Sequence, residues 1–250
     1  MEKAQTGIEG LDILLEGGLK RNGNYVVIGE YGTGKTNFGL EFLYNGAVKY
    51  DEPGVFIAVE EKKDKILENA KAFGWDLAKL EKQDKIRLVS YLQPVIDGIN
   101  FEISEDLTRG PLEKPLEYLT VQALLSEIKL KCTEINAKRV VIDSITALNM
   151  LMPEEVKARM NLLYLLYQLG NLDITSVITV EKSKVQWGDI MFLADGVIEL
   201  DYIIDSGIAF RGLTVKKMRG ASHKEGSYIY KITGKGLKIM QEVQSHTSRR

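Results

Sequence analysis

Tyr25-Val26-Val27-Ile28-Gly29-Glu30-Tyr31-Gly32-Thr33-Gly34-Lys35-Thr36 is the stretch that decides the fold. Its first part is a short apolar run ended by glycine, the pattern of a strand buried on both faces with a sharp turn behind it. Its second part, Gly29 to Thr36, fits G-x-x-x-x-G-K-[ST], a phosphate cradle when it stands between a strand and a helix. The helix follows. From Lys35 the apolar residues Phe38, Leu40, Phe42, Leu43 and Ala47 recur at helix-like spacing, and Asp51-Glu52-Pro53-Gly54 ends the segment as a turn. Glycines let such a loop wrap tightly, and its exposed N–H groups and the positive helix end hold phosphate oxygens. Lys35 is then the cation that reaches the β and γ oxygens, and Thr36 the hydroxyl that ligates magnesium.

Strands and helices alternate on the C-terminal side of this loop. The patterns predict strands over 24–29, 55–59, 86–89, 139–143 and 174–180, with helices over 62–73, 119–135 and from Pro153-Glu154-Glu155 to about Leu169. Residues 97–117, with Gly98, Gly110, Pro111 and Pro115, read as an irregular surface excursion. From Gly196 the character changes to strand-like runs at 197–202, 209–218, 227–232 and 237–240, which read as antiparallel. Strands separated by helices favour a parallel sheet covered on both faces, and the trailing meander extends its edge. The expected fold is one α/β domain over 1–250, a mainly parallel sheet with helices on both faces and an antiparallel C-terminal extension. Residues 241–250 read as a frayed polar tail.

Composition narrows the chemistry. The 250 residues carry 35 acidic and 33 basic side chains, a formal charge of -2, so no global charge draws the chain to nucleic acid or anionic membranes. Cys132 is the one cysteine, which leaves no intramolecular disulfide, Cys-x-x-Cys pair or thiolate zinc cluster. His223 and His246 are the only histidines, which excludes a His-rich metal centre within one chain and makes a Ser-His-Asp site hard to build. No apolar run approaches the eighteen or so residues of a membrane span, so no membrane insertion and a cytoplasmic location are expected.

Three carboxylate positions stand at predicted strand ends. Asp143 closes Arg139-Val140-Val141-Ile142 and suits a magnesium held through water next to the P-loop; taken alone, it would read as a turn or cap residue. Ser144, which follows, is read either as a partner of the attacking water or as a cap hydroxyl. Glu60-Glu61 ends the second strand, and one of the two is the candidate base that polarises water against a γ-phosphate; both would also favour the start of the next helix. Glu181, after the strand over 174–180, projects from the same sheet edge as a candidate γ-phosphate sensor.

Together these pieces resemble the KaiC-like branch of the RecA superfamily. The residues that carry the resemblance are Thr6-Gly7-Ile8-Glu9-Gly10-Leu11-Asp12, Gly17-Gly18, the P-loop, Glu60-Glu61, Phe73-Gly74-Trp75, Val140 to Ser144, and Lys217-Met218-Arg219-Gly220-Ala221-Ser222-His223. The resemblance spans nearly the whole chain and is to the single-domain archaeal members. It implies a RecA fold, ATP with Mg2+, and a homo-oligomeric ring, usually a hexamer, with nucleotide at each subunit interface. Gly29, Glu30, Tyr31, Gly32, Thr33, Gly34, Lys35 and Thr36 would bind the nucleotide. Lys217 and Arg219 match the family's K-x-R-G-x-x-H segment, whose cations act on the adjacent subunit's γ-phosphate, and His223 would contact that neighbouring nucleotide.

Departures from the family pattern qualify these expectations. Met191 and Phe192 stand where self-phosphorylating members of the family carry a Ser-Thr pair, which disfavours self-phosphorylation. Glu225 and Gly234 replace a family Lys and Asp that contact base and ribose, leaving adenine against guanine open, and Tyr31 replaces a Pro. Slow ATP hydrolysis that drives or times a conformational or assembly event is the expected activity. A nucleotide-gated scaffold with little turnover, resembling the archaellum accessory ATPase, is one alternative. A recombinase-like paralogue is another, but its DNA loops, 149–154 and 182–189, would carry only Lys182 and Lys184 as cations, so nucleic acid is disfavoured. The protein partner is not named by the sequence.

Overall fold

Among the described residues, the alternation of strand and helix builds one nine-stranded sheet, preceded by a two-stranded ribbon. The computed structural model describes residues 2–91, 120–146, 155–182, 192–205 and 208–242. The ribbon pairs β1 (Lys3–Ala4) with β2 (Leu19–Lys20) around the short helix α1 (Leu11–Leu14). Next come β3 (Asn24–Gly29), α2 (Lys35–Lys49), β4 (Gly54–Ala58), α3 (Lys63–Ala72), α4 (Leu77–Lys82) and β5 (Ile86–Ser90). They are followed by α5 (Val121–Ile135), β6 (Arg139–Asp143), α6 (Glu155–Gly170) and β7 (Thr175–Glu181). The chain then runs through β8 (Gly196–Asp205), β9 (Ile208–Met218), β10 (Ser227–Thr233) and β11 (Gly236–Glu242).

Across the sheet the order is β11-β10-β9-β8-β3-β7-β6-β4-β5. The β3, β4, β5, β6 and β7 strands pair in parallel, as expected for strands joined by helical crossovers. One expectation needs correction. The sequence pattern groups β8 with the antiparallel runs, yet it pairs in parallel with β3, from Tyr25↔Gly196 to Gly29↔Leu200. Only its other edge, to β9, is antiparallel, and the extension proper is β9 to β11. The reason is that β7 and β8 flank β3 and both run parallel to it, so β8 is a crossover strand and not a hairpin partner. The last strand also runs through Gln241 and Glu242, into the part read as tail. The excursion at 97–117, the loop at 149–154, Lys184, Met191 and 243–250 lie outside the described residues.

Each parallel strand feeds two cores because successive side chains point to opposite faces. Tyr25, Val27, Phe56, Ala58, Val141 and Val177 pack with α2, α3 and α4 on one side. Val26, Ile28, Val55, Ile57, Val140, Ile142 and Ile178 pack with α5 and α6 on the other. α5 is capped by the Thr120 hydroxyl, which accepts from Ala123 N, and ends at Asn136 in the left-handed region. Arg139 opens β6 and is completely buried. Its Nε donates to Glu52 Oε2 (2.6 Å), Nη1 to the Phe42 carbonyl (2.8 Å) and Nη2 to the Gln5 carbonyl (2.9 Å). Gly46 leaves room for its stem, since a Cβ there would sit 2.5 Å from Arg139 Cδ. This polar knot ties the strand that ends in Asp143 to the helix that begins with Lys35.

Candidate functional site

Because β3, β7, β6 and β4 are parallel neighbours, their C-terminal ends share one sheet edge, and α2 starts there, directly after the loop that follows β3, before crossing over β7 and β6 to reach β4. Register sets Gly29 beside Glu181 and Ala58 beside Asp143. An open cleft of about 350 Å³ at this edge is lined by Tyr31, Gly32, Gly34, Lys35, Thr36, Glu60, Asp143, Ser144, Glu181 and Ile232, among others. The structure thus brings together most of the residues predicted from separate parts of the sequence.

The loop between β3 and α2 has the predicted shape. Gly32 and Gly34 have φ of +74° and +95°, left-handed values that favour glycine, and a Cβ at Gly29 would lie 2.4 Å from the Leu200 carbonyl. The loop is braced from outside by side chains that sequence reasoning missed. Tyr230 donates its hydroxyl to the Thr33 carbonyl, Arg211 Nε donates to the Gly32 carbonyl (3.3 Å), and Ile232 packs beside Gly34. Thr33 is itself fully buried, and its hydroxyl donates to the Glu30 carbonyl (2.8 Å).

Lys35 Nζ donates to the Gly29 carbonyl (2.8 Å), the Glu30 carbonyl (2.9 Å) and Glu181 Oε2 (2.9 Å). It also lies 5.8 Å from the centre of the Tyr31 ring. Thr36 Oγ1 donates to Asp143 Oδ2 at 2.7 Å, and Thr179 Oγ1 donates to Asp143 Oδ1. Burial pushes the Asp143 carboxyl above its ordinary range, opposed by hydrogen bonds from Thr179 and Thr36 and by the Lys35 charge. Hard oxygen donors from a hydroxyl and a carboxylate in contact suit a small divalent cation such as Mg2+, so these residues fit the metal that a P-loop implies. Among the described residues no cluster of three or more His, Cys, Asp or Glu side chains offers a different metal site. Thr179 left a signal in the sequence, a hydroxyl set between Ile178 and Val180 near the end of a buried strand.

The Glu60-Glu61 pair is split. Glu60 lines the cleft and is exposed. Glu61 turns to α3, where Asn69 Nδ2 lies 3.4 Å and Lys65 Nζ 3.6 Å from its Oε1. Glu181, buried, donates its backbone N–H to the Thr146 hydroxyl oxygen (2.9 Å). Ser144 lines the cleft, and its peptide bond with Asp143 is cis.

Lys217 and Arg219 are not in this cleft. β9 runs antiparallel to β8, so Met218 pairs with Gly196 while Gly29 pairs with Leu200, which sets the two cations at the opposite sheet edge, roughly 13 Å along the strands. There Lys217 Nζ donates to the Phe192 (3.0 Å) and Ala194 (2.6 Å) carbonyls and Arg219 Nη2 to the Phe192 carbonyl (3.0 Å). Burial and the Arg219 charge press the Lys217 ammonium below its usual range. His223 is half-buried on the same edge, in a loop tied to the α1 region by Lys224 N to the Leu14 carbonyl (2.9 Å). Lys182 pairs with Glu199 (3.0 Å) and Asp201, so its charge is compensated within the chain.

The chain as a whole matches known proteins. A family model described as the KaiC ATPase matches residues 4–244. This chain belongs to the KaiC ATPase family. It is 34% identical over 242 residues to the circadian clock oscillator protein KaiC of Synechococcus elongatus, covering 95% of this chain and 44% of that protein. The counterpart from Parathermosynechococcus lividus is likewise 34% identical over 242 residues, 95% of this chain and 42% of the relative. The chain therefore spans less than half the length of these curated relatives. A crystal structure of a KaiC-like protein from the hyperthermophilic archaeon Pyrococcus horikoshii superposes with a TM-score of 0.79 at 32% identity, covering 96% of this chain and 99% of that one. The mixed α/β fold with a mainly parallel sheet and an antiparallel C-terminal part is thus that of KaiC-like proteins. No helix among the described residues is long and apolar enough to cross a membrane.

Proposed function

We propose that the chain is an ATPase subunit of a head-to-tail ring, a hexamer by family resemblance, that binds Mg-ATP between subunits and hydrolyses it slowly to drive or time a conformational or assembly event. The observation that carries this reading is the division of the site. The P-loop, Asp143 and Glu60 converge at one edge of the sheet, whereas Lys217 and Arg219 stand at the other. A second copy placed edge to edge would supply the cations that one chain cannot bring to its own nucleotide, and such a contact, repeated, closes a ring.

In this arrangement the loop amides and Lys35 hold the phosphates, while Thr36 and Asp143 hold Mg2+. Bound there, the metal would neutralise charge on the β and γ oxygens. Glu60 accepts the proton of the attacking water, being the member of the acidic pair that faces the cleft. Lys217 and Arg219 of the adjacent copy stabilise charge on the phosphoryl oxygens, and His223 contacts the same nucleotide. ATP is the nucleotide expected from the family, and the compensation of Lys182 argues against a DNA-binding path.

The test is phosphate release from Mg-ATP recorded together with mass by light scattering, for the natural chain and for the double variant Glu60→Gln, Glu61→Gln. Release from a ring-sized particle that stops in the double variant supports the reading. Unchanged release in that variant removes the base assignment, and nucleotide-dependent assembly without release would assign an ATP-gated scaffold.

A further inference from the structure

An ammonium has three donors. In Lys35 all three are taken, by the Gly29 and Glu30 carbonyls and by Glu181 Oε2. A phosphate can therefore reach Lys35 only by displacing one of them. The two carbonyls belong to the loop that itself wraps the phosphates, so the partner that can leave without unfolding the cradle is Glu181. That side chain is 6% exposed, and its second oxygen, Oε1, is buried with no hydrogen-bond partner among the described residues. A buried carboxylate held on one oxygen only is poorly compensated, and a single cation is its main stabilisation. Its backbone is fixed by Thr146, so the side chain must turn when the cation leaves.

We propose that Glu181 is a counter-ion latch on the empty P-loop: it holds Lys35 in place until a nucleotide takes the lysine, and the strength of that pair sets how readily the site loads. The inference rests on the nucleotide-binding reading above and assigns Glu181 a role opposite in sign to that of a sensor that helps hold phosphate. The latch acts on Lys35, so it bears equally on ADP and ATP, whereas simple repulsion between Glu181 and a γ-phosphate would bear on ATP alone.

Dissociation constants for ADP and ATP are measured by titration calorimetry on the natural chain, Glu181→Gln and Glu181→Asp, with circular dichroism and Tm confirming that each variant is folded. Gln removes the charge of the pair, and Asp is too short to keep its contact. Both variants are expected to bind ADP and ATP more tightly by the same factor, about fivefold, as for a pair contributing near 1 kcal/mol. Unchanged or weaker binding in the variants overturns the latch while leaving the nucleotide reading intact. Tightening confined to ATP also overturns it, in favour of direct repulsion. Failure of the natural chain to bind either nucleotide overturns the reading on which the latch rests.

Discussion

Replacing Glu52 by alanine should destabilise the fold far more than replacing Arg139, although the two side chains are partners. Arg139 is completely buried, and Glu52 is 8% exposed at its side chain. Among the described residues, removing Glu52 leaves a guanidinium in the core with the Phe42 and Gln5 carbonyls as its remaining acceptors. The cost of an uncompensated buried charge is about 3–5 kcal/mol. At about 2–4 °C per kcal/mol for a chain of this size, Tm should fall by roughly 6–20 °C. Arg139→Met instead puts an unbranched apolar side chain into the space beside Gly46 and the Phe42 ring, and Glu52 keeps Arg21. That change should cost about 1–2 kcal/mol, chiefly from two carbonyls losing a donor. Urea and thermal unfolding followed by circular dichroism at one protein concentration measure both. A Glu52→Ala variant within 1 kcal/mol of the natural chain, or milder than Arg139→Met, would refute the reasoning that a buried cation is being compensated.

Other perturbations bear on the site and on pH. Glu60→Gln should lower turnover by about a hundredfold or more while sparing nucleotide affinity, and Glu61→Gln should change it less than tenfold; steady-state phosphate release separates them. Arg219→Ala should keep nucleotide binding yet slow hydrolysis, and mixing it with a Lys35→Ala variant should restore activity at mixed interfaces, whereas an inactive mixture argues against action between subunits. Burial holds the Glu41 carboxyl at about 7 against an ordinary 4.5, despite the hydrogen bond it accepts from Leu237 N (2.7 Å). The folded chain therefore retains a proton that the unfolded chain has lost. This stability is complete below about 4.5 and is lost as pH rises through 7. Its size is on the order of 3 kcal/mol. Glu41→Gln should flatten the fall of Tm between pH 5 and 8 and be the more stable form at pH 8; an identical pH profile in both would show that Glu41 does not titrate as burial requires.

Much of this architecture is legible in short stretches of chain. The loop from Gly29 to Thr36, the helix behind it and the strand ending in Asp143 are local patterns, fixed by glycine conformation and by apolar spacing of two or near four residues. The strands at 24–29 and 139–143 fall at the boundaries the patterns predict. A polar residue inside a core is harder to read. Arg139 looks like the polar start of a strand, and only the convergence of Glu52, Phe42 and Gln5 shows that it is enclosed.

By itself, then, the sequence determined that this chain alternates strand and helix around a phosphate loop with an acid at a later strand end, because those features depend on neighbours in the chain. The tertiary structure decided which strands lie side by side, since β7 and β6 are inserted between β3 and β4 by crossovers whose destinations no local pattern encodes. That order puts Thr179 against Asp143 and Glu181 against Lys35. It was also the direction of β9, set by pairing with β8, that carried Lys217 and Arg219 away from their own P-loop, and the turn after β4 that sent Glu60 to the cleft and Glu61 to α3. Side chains at strand ends take their partners from hydrogen-bonded neighbours distant in sequence, which is why only the folded chain could distribute these roles.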